Sequence, residues 1–314
     1  MTESVKQKAV ALPTGWKASD SPVKRAFARS RLVQLATAVL AAIVLATIFA
    51  PLLAWQNPFD PAGLDLMDAF TAPGAQGSSG TLYALGSDDQ GRDVWSAILY
   101  GLRMSVFVGV SAVALSLAIG VPLGLLAGYV GDWFDTLLMR IADVQLTFPV
   151  ILVALLVFGI ARGLLPEGYR DDMAVYVIIV AIGLSDWVQY ARTVRGAVMV
   201  EKQKDYVLAA QLIGRSKAAI LAKHILPNLL APILVIATIS FAHAIVAEST
   251  LSYLGVGLPP TSPSLGTLIR IGQSFLFSGE WWILLFPSLV LLALALSVNL
   301  VGDWLRDALN PKLQ

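Results

Sequence analysis

The sequence predicts an all-α integral membrane protein with six membrane-spanning helices, and three observations carry that prediction. Apolar residues make up 57% of the chain and charged residues only 14%, against roughly a quarter charged in an ordinary soluble protein. The apolar residues gather into six runs, each long enough to cross a hydrocarbon core, for which about 20 helical residues suffice. Lys and Arg are spread unevenly over the connecting segments, as the positive-inside rule describes for multi-span proteins.

The first run, Leu32–Ala54, follows a polar stretch and exceeds the roughly 7–15 apolar residues of a secretory signal, so it reads as a retained spanning helix. The segment Trp55–Arg103 begins with Pro58, Pro61, Pro73, Gly74, Gly77 and Gly80 and so starts as irregular chain, turning helical around Asp93–Tyr100. The second run is Met104–Val130. Within it Gly120, Gly124 and Gly128 recur every four residues, the pattern of a close helix-packing face. The third run, Leu137–Ala161, holds Arg140 and Asp143 one turn apart, which are expected to pair. The fourth, Met173–Tyr190, carries Asp186 near its inner end, from which the carboxylate is expected to reach the interface. A carboxylate at the bilayer centre costs roughly 2.5–3.5 kcal/mol, so Asp143 and Asp186 must face protein or water. The fifth run, Ile225–Ala247, holds His243, expected to make an interhelical hydrogen bond. Glu248–Glu280, with Pro259, Pro260 and Pro263, reads as a structured loop before the sixth run, Trp281–Val301.

Placing the amino terminus in the cytoplasm puts sixteen Lys and Arg inside and five outside. Both termini are therefore expected in the cytoplasm. The implied organisation is a tail over 1–31, a membrane domain over 32–302 with a cytoplasmic loop over 193–224, and a second tail over 303–314.

Composition also excludes chemistry. The net charge of +1 offers no basic face for nucleic acid. With no Cys and two His, disulfides, thiolate catalysis and the usual zinc spacings are ruled out, as is the nucleophile or metal cluster of a membrane enzyme. No G-x-x-x-x-G-K-[ST] loop is present to cradle nucleotide phosphates. A secondary transporter would usually show more spans and inverted repeats with interrupted helices.

The inner loop is the most informative segment. Over Glu201–Gly214 it reads EKQKDYVLAAQLIG, where Tyr206, Ala209, Ala210 and Ile213 fall at helical three- and four-residue spacing. A short amphipathic helix follows, soluble on its Lys202, Lys204, Asp205 and Gln211 side, with Gly214 placed to end it. By itself the stripe fits a helix lying on the lipid surface as well as one seated in a partner's groove.

Ala209-Ala-Gln-Leu-Ile-Gly214, followed after nine residues by His224-Ile-Leu-Pro227-Asn228, resembles the signature cytoplasmic loop of ATP-binding-cassette importer permeases. That family's pattern is Glu-Ala-Ala, three residues, Gly, nine residues, Ile-x-Leu-Pro. Leu208 stands at the usual Glu position, and His224 at the first Ile position resembles the peptide-importer branch. Leu85-Gly-Ser-Asp-Asp-Gln-Gly-Arg-Asp-Val94, Leu99-Tyr-Gly-Leu-Arg-Met-Ser105, Leu251-Ser-Tyr-Leu-Gly-Val-Gly-Leu-Pro-Pro260 and Gly302–Leu313 are similar to further segments of dipeptide and oligopeptide permeases. The resemblance covers about Leu32 to Leu313 and is to the second permease subunit type.

It implies the type I importer permease fold in a bacterial inner membrane. The implied partners are a second homologous permease, two ATPase subunits that hold ATP and Mg, and an extracytoplasmic substrate-binding protein. The cargo is expected to be di- or oligopeptides, with nickel chelates, opines or glutathione as the other solutes such architectures carry. Tyr206, Ala209, Ala210, Ile213 and Gly214 form the coupling helix in this reading. Pro227 and Pro232 form the hinge that passes its movement into the fifth span.

Overall fold

A computed structural model of the chain describes residues 27–28, 30–60, 64–78, 80–259 and 262–308. The basic residues expected over 1–26, Arg29, and the end of the second tail over 309–314 lie outside the described residues. The main helices are α1 (Arg31–Ile48), α2 (Val94–Val130), α3 (Asp132–Thr147), α4 (Val150–Leu164), α5 (Arg170–Glu201), α6 (Asp205–Leu212), α7 (Leu226–Tyr253), α8 (Leu265–Phe275) and α9 (Trp282–Ala308). Among the described residues five helices are long and apolar enough to cross a membrane, or six spans if the bent pair α3–α4 counts as one. The expected count of six is met only in that form.

The third run is not one helix. α3 and α4 meet at Phe148–Pro149 with a bend of 97°. Pro149 has no N–H to continue the α3 ladder, and its ring pushes the preceding residue out of the helical region. Phe148 is accordingly extended, at φ −94° and ψ 137°.

The second and fourth runs are longer than their apolar stretches. α2 has 37 residues and α5 has 32, or about 55 and 48 Å at 1.5 Å per residue, against a hydrocarbon core of about 30 Å. Both project beyond it. The segment assigned to a loop from Thr193 is therefore helical up to Glu201, and Glu248 to Tyr253, also placed in a loop, continue α7.

The seam between α2 and α5 is the most extensive helix contact among the described residues, and it is close. A Cβ added at Gly120 would sit 2.5 Å from the Trp187 carbonyl oxygen, one at Gly124 2.5 Å from that of Ala191, and one at Gly128 2.7 Å from the Val198 Cβ. The three glycines thus form the close-packing face that their spacing predicts. Ser116 Oγ donates to the Gly183 carbonyl at 2.9 Å across the same seam.

α3 runs antiparallel along α5 and is fixed by polar contacts. Arg195 grips Asp135 with two nitrogens, one at 2.6 Å. Gln145 Nε2 donates to the Leu184 and Ser185 carbonyls at 2.9 and 3.0 Å, and Trp187 Nε1 donates to Gln145 Oε1 at 3.0 Å. Asp143 is bound by Arg192. The expected Arg140–Asp143 pair does not form, because Asp143 is within reach of a cation on α5. Arg140 is exposed and has no ion pair among the described residues.

The two ends of the bundle are built differently. At one end a buried cluster joins α2, α7, α8 and α9 through Ile98, Leu102, Ile245, Leu268 and Ile283. Over it lies the 64–93 segment, with a two-stranded hairpin of β1 (Ala75–Gln76) and β2 (Leu82–Tyr83). Its centre is Asp68, which accepts from Ser78 N and from Tyr83 Oη at 3.0 Å. The Ser78 N–H holds the Asp68 carboxyl below the usual carboxylate range against the opposing push of burial. Trp282 Nε1 donates to the Ser87 carbonyl at 3.0 Å and ties this cap to α9. At the other end lies α6, beyond the last turn of α2, where Lys202 Nζ donates to the Gly128 carbonyl at 2.8 Å.

Gly124→Leu should overpack the α2–α5 seam and lower the stability of the detergent-solubilised chain by about 1–3 kcal/mol. Gly159→Ala, where an added Cβ meets nothing within 4 Å, should leave the thermal midpoint unchanged or higher. Equal midpoints for Gly124→Leu and wild type would remove the seam from the packing argument. In a double-mutant cycle on thermal stability, Asp143→Asn and Arg192→Gln should couple, by no more than about 1 kcal/mol since both side chains are partly exposed. Asp143→Asn and Arg140→Gln should add independently. Coupling in the second cycle and none in the first would restore the Arg140 pairing.

Candidate functional site

α6 begins after a short turn from α5 and ends at Leu212. Its exit is a Schellman motif: Arg215 N donates to the Ala210 carbonyl at 3.1 Å and Gly214 N to that of Gln211 at 3.0 Å. Gly214 has φ +78°, the left-handed conformation for which glycine is suited.

The expected single stripe of Tyr206, Ala209, Ala210 and Ile213 is divided by the fold. Ala210 points inward with Val207, into a cluster with Val194, Val198, Ile220 and Ile225. That cluster glues α6 to α5 and to the start of α7, so Ala210 has no surface to offer a partner. The outward face is instead Leu208, Ala209, Leu212 and Ile213, with Leu212 89% and Ile213 79% exposed. Sequence periodicity could not tell the two apolar sides of so short a helix apart, since both carry three- and four-residue spacings.

Tyr206 has a third role. Its hydroxyl donates to Glu201 Oε1 at the end of α5 and accepts from Asn228 Nδ2, in the first turn of α7, at 2.9 Å. Asn228 also donates to the His224 carbonyl at 2.8 Å, and Lys204 Nζ pairs with Glu201 Oε2 at 2.8 Å. Burial, together with the Glu201 carboxylate, pushes the Tyr206 hydroxyl up to about 12, so it remains a donor throughout the physiological range. Three helices therefore meet at one oxygen atom. Glu201 and Asn228 were not singled out by the sequence; the signal available was a Tyr five residues after a Glu, with an Asn at the end of the His-Ile-Leu-Pro-Asn run.

Between α6 and α7 the chain forms a helical turn over Lys217–Ile220 and a π-helical turn over Leu221–Ile225. Pro227 occupies the first turn of α7, where its missing N–H costs nothing, and Pro232 lies inside the helix, where one backbone hydrogen bond is lost. Irregular helix thus leads into Pro227, while Pro232 stands within a continuous stretch of α7.

The membrane-depth residues are placed as follows. Asp186 lies near the middle of α5 and is buried, at 5% exposure, instead of near its inner end, because α5 continues past Tyr190. His243 is exposed on α7 and makes no hydrogen bond among the described residues. The expected interhelical hydrogen bond is absent because its ring turns away from the packed face of α7. The fold adds Glu248, which is fully buried. It accepts from Ser105 Oγ at 2.9 Å and Ser252 Oγ at 2.7 Å, and Ser105 Oγ accepts in turn from Leu265 N at 3.2 Å. Glu248 with Ser252 four residues on is a helix-face pair that the reading of this stretch as loop concealed.

A family model described as binding-protein-dependent transport system inner membrane component matches residues 120–314. The dipeptide transport system permease protein DppC of Haemophilus influenzae is 38% identical over 272 residues, covering 87% of this chain and 88% of that protein. The oligopeptide transport system permease protein OppC of Bacillus subtilis is 35% identical over 312 residues, covering 99% of this chain and 93% of that protein. A solved chain of the inward-facing MetNI methionine ABC transporter shares the fold with a TM-score of 0.53 at 18% identity, over 68% of this chain and 96% of that one. The chain thus belongs to the binding-protein-dependent transport system inner membrane components: it is an inner-membrane permease subunit of an ABC importer with the type I fold, and not an enzyme.

Proposed function

We propose that the chain is one permease half of an ATP-driven importer of short peptides. It pairs with a second homologous permease, two ATPase subunits and an extracytoplasmic binding protein. The names of its relatives support the peptide cargo. The observation that carries the coupling role is the outward patch of Leu208, Ala209, Leu212 and Ile213 on a helix tethered at Tyr206 to both α5 and α7. Exposed leucine and isoleucine side chains in water at this density suit burial in a partner's groove.

ATP-driven closure of the ATPase pair would pull on that patch. The Tyr206 hydroxyl and the Val207–Ala210 cluster would carry the pull into α5 and α7 together, and the irregular turns before Pro227, with the backbone hydrogen bond missing at Pro232, would absorb the change of direction. The pathway would then alternate between two openings, biased by nucleotide. In this reading α6 and both termini face the cytoplasm and the 64–93 cap faces outward, as the Lys and Arg distribution supports.

Three outcomes follow. Leu212→Asp should abolish copurification of the ATPase without impairing membrane insertion. Tyr206→Phe should leave ATPase association intact while cutting substrate-stimulated ATP hydrolysis several-fold, because it removes the tether and spares the patch. Normal coupling in Tyr206→Phe would assign transmission to the apolar cluster alone. With no native Cys, single-Cys labelling by an impermeant reagent is expected at Ser262 and not at Gln203 in intact cells, and the reverse pattern would invert the topology.

A further inference from the structure

At the cap end of the bundle, α2 and α5 open a cavity of ≈540 Å3 whose walls include Phe59, Tyr100, Arg103, Phe107, Asp172 and Tyr176. Two of these are opposite charges. Neither Arg103 nor Asp172 has a hydrogen-bond or ion-pair partner among the described residues. The two charged residues before Asp172 are both engaged, Asp171 with Arg162 and Arg170 with Glu167, so Asp172 is left free beside charges that are not. Each of the two stands immediately before an apolar run, at Met104 and Met173, which places the cavity at the edge of the membrane and not within it.

The remaining wall is aromatic. Phe59 packs edge to face on Tyr100 with ring centroids 5.3 Å apart, and Phe107 and Tyr176 are both more than half exposed. An unpaired guanidinium selects a carboxylate by two parallel hydrogen bonds, an unpaired carboxylate selects an ammonium, and aromatic faces accept apolar side chains and cations. A short peptide with free termini offers an ammonium at one end, a carboxylate at the other and side chains between. The volume lies within the range of small-molecule sites.

We propose that this cavity is a subsite for zwitterionic short peptides, with Arg103 taking the carboxyl terminus and Asp172 the amino terminus. This rests on the peptide-importer reading above and goes beyond it by locating where released cargo is first held. Recognition of both termini makes the site indifferent to side-chain sequence and sensitive to terminal capping.

The test uses the assembled importer, with both permeases and the ATPase subunits, in nanodiscs, carrying Ser262→Cys at the cavity wall. Uptake by the reconstituted wild-type complex with its binding protein first selects the best-transported dipeptide from a panel. The rate of impermeant maleimide labelling of this chain is then measured with that dipeptide and with its N-acetylated, C-amidated form. The free dipeptide should slow labelling and the capped form should not. Arg103→Gln and Asp172→Asn should each raise the half-protecting concentration about tenfold, the loss of one charge-assisted hydrogen bond, while the ATPase subunits still copurify in full. Equal protection by free and capped forms, no protection, or unchanged half-protection in both variants would overturn the subsite while uptake persists. Absence of uptake across the panel would instead overturn the peptide reading on which it rests.

Discussion

The close approach of α2 and α5 sets the rest of the architecture. In lipid there is no hydrophobic drive to bring helices together, so association depends on packing and on hydrogen bonds between them. Gly120, Gly124 and Gly128 let one backbone meet carbonyls and Cβ atoms of the other directly. Several other elements are assembled on this pair. α3 and α4 are fastened along α5, α6 hangs from its last residues, and the cap-end cluster closes over the first turns of α2.

Polar groups then specify what packing alone leaves loose. The α3–α5 contacts add ion pairs and hydrogen bonds of the Gln145 amide to a shared apolar cluster, and at Glu248 three serine hydroxyls stand in for the water a buried carboxyl has lost. At the α6 end a single phenol oxygen connects three helices. Polar groups of this kind fix the relative position of helices, since leaving any of them unpaired in an apolar surrounding costs more than the bond contributes.

The sequence was most legible where one period or one residue decides the outcome. Run lengths located the spans, the four-residue glycine spacing located the seam, and Gly214 marked the end of α6. It was least legible where the outcome depends on a second element. Asp143 chose Arg192 over Arg140 because α3 lies against α5, a fact of tertiary placement. Ala210 and Ala209 are neighbours of the same type, yet one is buried and one exposed, and only the packing of α6 on α5 and α7 separates them. The break at Pro149 was the exception: its physical signal stood in plain view within an apolar run, and run length alone overrode it.

That break divides one span into two levers with separate anchorages. α3 is fastened to the lower part of α5 by Asp135, Asp143 and Gln145. α4 is fastened to the upper part by Ala154 and Phe158 against Val177, Ile178 and Ala181. A continuous helix would be a stiff rod, and any tilt imposed at its α6 end would reappear at its cap end. With the joint at Phe148–Pro149, a tilt of one half would not be imposed on the other, so the span is built as a universal joint and not as a push-rod. A displacement that reaches the cap end undivided would then pass along the helices without such a joint, α2, α5, α7 and α9.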